Sequence, residues 1–142
     1  MAWQDLAGTA WAGTSELWLD PLGNVAETSS CTVDVAPEAV RYTWAFRGTT
    51  HQGTIALGGE GGVFTDSFHS PAPMACRALP SWAIVDLAGT YTAGEGPEWG
   101  WRLTLSLRPP HEGAPETLAL QMTNVAPWGE ETRAVRILAT RI

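Results

Sequence analysis

The chain contains no lysine. Its basic residues are all arginine, eight of them against 15 acidic residues, and the formal net charge is −7. A nucleic-acid binder needs a positive field to displace counterions from phosphates, so this charge has the wrong sign for that role. Schiff-base chemistry and P-loop phosphate binding need a lysine and are excluded with it. Cysteine is nearly missing too: Cys31 and Cys76 are too few for a disulfide scaffold and read as buried free thiols. No apolar run approaches the roughly 20 residues of a membrane-spanning helix, so no membrane partner is expected. Met1 to Leu6 includes Asp5 and has no basic segment ahead of an apolar stretch. It does not read as a signal peptide, and the expected location is the cytoplasm.

Apolar residues make up 44% of 142 positions, enough for the core of one domain. Gly and Pro, 15 and 10 of them, are spread along the chain as many short turns require. Between them run alternating apolar and polar segments, and no stretch keeps a helical period over three turns. The pattern predicts strands over 9–19, 25–35, 39–47, 50–57, 62–69, 82–93, 98–108, 117–126 and 132–141, with a tenth piece near 75–79. Asp5–Ala7 and Pro71–Cys76 are long enough for a single helical turn at most. Asp5-Leu6-Ala7-Gly8-Thr9 recurs as Asp86-Leu87-Ala88-Gly89-Thr90, as a duplication or by coincidence.

One interior face can be carried from strand to strand, and a slip of one residue would invert it. Val40, Tyr42, Trp44 and Phe46 alternate with Arg41, Thr43, Ala45 and Arg47, so the first set faces inward. A two-residue turn at Gly48-Thr49 sets Phe46 opposite His51 and Trp44 opposite Gly53. A loop symmetric about Glu60 then sets Ile55 against Thr65, Gly53 against Ser67 and His51 against His69. That register leaves Phe64 and Phe68 on the wet face. Upstream, Cys31, Val33 and Val35 share the inner face. Downstream, the loop at Pro109–Glu116 pairs Leu107 with Leu118, Leu105 with Leu120, Leu103 with Met122 and Trp101 with Asn124. The last turn points Val135 and Ile137 inward, with Arg133 beside Asn124. The predicted fold is all-β, an antiparallel up-and-down meander barrel of about 9–10 strands, with a β-sandwich as the alternative.

Leu6-Ala7-Gly8-Thr9-Ala10-Trp11-Ala12-Gly13 resembles the opening of lipocalin-like (calycin) barrels, in which a Trp plugs the closed end and a late Arg packs over it. The resemblance implies that Trp11 is the plug and that Arg136 or Arg141 covers it. The spacing departs from that family: two residues, not one, separate Gly8 from Trp11. Thr65-Asp66 is similar to a second lipocalin motif but is followed by Ser67 where an aromatic belongs. About ten short strands resemble most closely the fatty-acid-binding-protein branch and bacterial lipocalin-like domains of unknown function.

Three constellations are candidates for chemistry. His51 and His69, as inward cross-strand neighbours about 5 Å apart, could hold a ligand, share a metal or act as acid and base, or they are simply rim histidines. An inward Arg133 with Asn124 needs a partner, because an isolated buried charge is costly. A ligand carboxylate would serve, and the family resemblance implies that use of late-strand arginines. The aromatics Tyr42, Trp44, Phe46 and Trp101, with Trp11 and Trp99, form the apolar wall, and Tyr42 and Ser67 add hydrogen bonds. The expected ligand contacts are therefore His51, His69, Tyr42, Trp44, Phe46, Ser67, Trp101, Asn124 and Arg133. The expected function is binding a small hydrophobic or amphipathic molecule, acidic or not, inside the barrel. The alternatives are a small enzyme using His51 and His69, or a haem or metal protein. No resident cofactor and no metal are expected.

Overall fold

The computed structural model describes residues 2–20 and 24–142. A 3-10 turn at Trp3–Leu6 leads into ten strands: β1 (Thr9–Trp18), β2 (Ala26–Val35), β3 (Ala39–Phe46), β4 (Thr49–Gly58), β5 (Gly61–Asp66), β6 (Ser70–Ala78), β7 (Val85–Thr92), β8 (Glu98–Arg108), β9 (Thr117–Val125) and β10 (Glu131–Arg141). Each pairs antiparallel with its neighbours in sequence, and β1 pairs with β10. The meander is therefore a closed barrel and not a sandwich. Closure gives every strand a neighbour on both sides. Among the described residues no helix is long and apolar enough to cross a membrane.

The C-terminal registers are those the pattern predicts, from Leu107↔Leu118 through Trp101↔Asn124. Three others differ. The β3–β4 turn is Arg47-Gly48, both at positive φ, and Phe46 pairs with Thr49. Two positive-φ residues match the right-handed twist of the strands they join. This register is moved by two residues, so inner faces are kept, but Trp44 now meets His51 and Tyr42 meets Gly53. Gly53 is required there, because a Cβ would fall inside the Tyr42 ring.

The β4–β5 hairpin turns on Gly59-Glu60, and Ile55 pairs with Phe64, one residue away from the symmetric loop. The slip inverts β5. Phe64 and Asp66 face in and are buried, while Val63 and Ser67 face out and are exposed. Burying Phe64 drives this choice, since the other register would leave that ring in water. The third difference is a bulge at Ala134, which pairs Thr132 with Asn124 and turns Arg133 toward the outer face beside Thr123. Val135 and Ile137 remain buried inside.

β6 is longer than the expected 75–79 piece and includes Pro71–Cys76, which forms no helical turn. Pro71 and Pro73 lack amide hydrogens and cannot donate to a ladder. The β6–β7 seam accordingly holds only Arg77↔Ala88 and Ala78↔Leu87. The repeated Asp-Leu-Ala-Gly-Thr segments take different structures, one spanning the 3-10 turn and the start of β1, the other lying within β7.

The core runs the length of the interior. At the base, below the 3-10 turn, Trp11 is fully buried, and the Arg141 guanidinium lies 4.8 Å from its ring centre. Of the two arginines the resemblance offered, Arg141 is the one that lies over Trp11. Arg136 instead pairs with Glu16 at 2.8 Å.

Candidate functional site

Two groups of side chains occupy the opposite end of the barrel, its mouth, where β1, β3, β5, β7 and β9 end. The first is an aromatic stack. Trp44 stacks with His51 at 4.8 Å and with His69 at 5.5 Å. His69 lies 5.2 Å from Trp101, and Trp101 stacks on Phe64 at 5.9 Å. Phe68 meets Trp44 edge-on at 5.4 Å. Beneath the stack sits Asp66, 1% exposed. Its carboxylate accepts from Tyr42 Oη at 2.5 Å, Trp44 Nε1 at 3.3 Å and the backbone amides of Phe68 and His69 at 2.8 and 2.9 Å. His69 Nδ1 lies 3.5 Å from Asp66 Oδ1, an electrostatic contact without hydrogen-bond geometry.

Burial alone would raise the Asp66 carboxyl. The contact with His69 and the hydrogen bonds from Tyr42 and the His69 amide outweigh it and hold the group at about 2. The Tyr42 phenol moves the other way, well above its ordinary value, through burial first and then the Asp66 charge. Asp66 is therefore the ionised anchor of this end, and Tyr42 its neutral donor.

The stack fills the space where the sequence pattern places a ligand cavity. Tyr42, Trp44 and Trp101 are buried by protein neighbours, and Phe46 is half-buried with Arg47 over its ring at 4.8 Å. His51 and His69 are not cross-strand partners; both contact Trp44 instead. Ser67 lies outside, 2.8 Å from His51 Nδ1. No site of three or more His, Cys, Asp or Glu side chains suited to a metal occurs among the described residues.

The second group surrounds an open cleft of about 420 Å³ on the other side of the mouth. Small-molecule sites typically enclose roughly 300–1,000 Å³. Its walls are Trp18 at the end of β1, Tyr91 near the end of β7, Trp99 near the start of β8 and Trp128 in the β9–β10 turn. Trp99 and Trp128 meet at 5.7 Å and 70°, forming a corner. On the floor, Tyr91 Oη donates to Asn124 Oδ1 at 2.5 Å, and burial pushes the Tyr91 phenol up, keeping it protonated. Arg133 lines the rim with its guanidinium 4.7 Å over the Trp18 ring, beside Asp20 and Glu130.

Of the predicted contacts, only Asn124 and Arg133 line this cleft. Arg133 is not the inward charge beside Asn124 that its expected register implied, because the Ala134 bulge carries it to the outer face. Trp18, Tyr91 and Trp128 were not singled out from sequence. Tyr91 shares its parity with Leu87, which would have put it inside. Trp128 stands between Pro127 and Gly129 in a turn and is 72% exposed, an unusual place for a tryptophan that packing does not require.

The fold and site together define a closed ten-strand meander barrel with a packed interior and an aromatic cleft at its mouth. No family model, curated protein or solved structure matches the chain.

Proposed function

We propose that this barrel binds a small apolar or amphipathic molecule in the cleft at its mouth. The observation that carries the reading is the convergence of Trp18, Tyr91, Trp99 and Trp128 on a space of about 420 Å³, with Asn124 and Thr132 as polar handles at the floor. Aromatic walls with a few placed polar groups are the usual composition of such sites. The Trp11–Arg141 contact at the opposite end supports likening the barrel to the calycins, which use the same pair to close the base. The ligand then sits at the rim, since aromatics occupy the interior. Less supports an acid–base enzyme: Ser67 engages His51 Nδ1, and His69 turns its Nδ1 toward Asp66, so the two imidazoles are not aimed at one point.

Titration with Nile red, an uncharged apolar fluorophore, tests this. Saturable one-to-one enhancement is expected, with affinity several-fold weaker in Trp128→Ala, whose exposed side chain contributes little to folding. Absence of saturable binding, or binding that Trp128→Ala leaves unchanged, refutes the cleft as the site.

A further inference from the structure

Resting on the reading of the cleft as a small-molecule site, we infer that its ligand is an organic cation, a quaternary or alkylated ammonium carried on a small apolar body. Aromatic faces attract cations because the ring quadrupole is negative above its plane. Trp99 and Trp128, 70° apart, offer two such walls to one guest, and Tyr91 and Trp18 stand on the remaining sides. The Trp18 wall already carries a cation, the Arg133 guanidinium at 4.7 Å. That contact shows the chemistry the surface accepts.

Charge around the cleft points the same way. Asp20 and Glu130 line it. Glu95 and Glu98 belong to the adjoining β7–β8 connection and the start of β8, whereas Glu131 lies in a separate groove beside Arg102. Arg133 is the cation opposing them among the lining residues, and the two carboxylates against one guanidinium leave the lining net negative. The net field at the rim is negative, as is that of the whole chain at −7, and such a field concentrates cations and repels carboxylates. The floor agrees. The Tyr91 hydroxyl hydrogen is committed to its bond with Asn124 Oδ1, so what its oxygen can offer a guest is lone pairs. An ammonium N–H or a polarised N-methyl group can use those lone pairs.

Three probes of nearly the same shape separate charge from fit: benzyltrimethylammonium, neopentylbenzene and phenylmethanesulfonate. Binding is followed through the indole N–H resonances of the eight tryptophans in NMR titrations of the whole protein. The ammonium is expected to shift the Trp99 and Trp128 signals and to bind about tenfold more tightly than its neutral isostere. That preference should shrink in Trp128→Leu and in Glu130→Gln, both substitutions of exposed residues, and also on raising the salt. If neopentylbenzene or the sulfonate binds as well as the ammonium, the cation inference is overturned and the cleft reading stands. If none of the three moves a cleft resonance, both are overturned.

Discussion

Replacing Asp66 by Asn removes the one charge buried beneath the aromatic stack and nearly nothing of its volume. The carboxylate accepts four hydrogen bonds, two of them from the buried Tyr42 and Trp44 side chains. A hydrogen bond to a charged acceptor is worth about 1.5–3 kcal/mol, and bonds within one network do not add fully. The Asn retains one acceptor oxygen but turns an amide NH₂ toward groups that are themselves donors. At neutral pH the loss should be about 2–3 kcal/mol, a shift of about 1 M in the urea midpoint for a slope near 2 kcal/mol per M. The pH dependence makes the test specific. The folded carboxyl sits at about 2, below its ordinary 3.8. A depressed carboxyl stabilises the fold above its unfolded value, and this contribution is lost as pH falls toward the folded one. The difference corresponds to about 2 kcal/mol. Urea unfolding followed by tryptophan fluorescence at pH 6, 4 and 2.5 should therefore show the gap between wild type and Asp66→Asn narrowing as the solution is acidified. All other carboxylates are common to both proteins and cancel. A gap that stays constant from pH 6 to pH 2.5 refutes the assignment of Asp66 as the ionised anchor.

Two further substitutions probe the fold around the sites. Gly53→Ala puts a methyl group where the Tyr42 ring lies, and overpacking of this kind costs about 1–3 kcal/mol or more; thermal unfolding should show a lowered midpoint, and an unchanged one contradicts the placement of Tyr42. Arg141→Ala removes the guanidinium from the face of Trp11 and an ion pair with Glu116 at 2.9 Å. With Arg141 half-exposed, the expected loss is only about 1 kcal/mol by chemical denaturation, and a loss above about 3 kcal/mol would mean that it carries more of the base than this contact explains.

Local pattern located the strands because alternation of apolar and polar residues is a direct record of which side meets water. It also fixed inner faces wherever one register alone kept the apolar set inside: Leu103, Leu105 and Leu107 admit a single partner set on β9, and the structure has it. At Gly58–Gly62 the run of glycines accepts more than one turn geometry, and the symmetric choice left Phe64 and Phe68 in water. That misfit was the available sign of the slip. Pro71–Cys76 was read as a helical turn at most, yet the segment is part of β6, which β5 holds through Met74–Arg77 and Ser70. The aromatic content was legible as cavity wall or core, but not which residues would be which.

The amino-acid sequence alone determined an acidic, lysine-free meander of short strands with Trp11 near the start of the first, because composition and two-residue periodicity act within a strand and its nearest neighbour. Only the tertiary structure decided that the interior is filled, that Asp66 turns inward and Ser67 outward, and that Trp18, Tyr91, Trp99 and Trp128, scattered over 110 positions between the first and last, converge at the mouth. Those outcomes depend on a single-residue register and a bulge. Both are settled by how side chains from distant strands share one enclosed volume, which no local segment records.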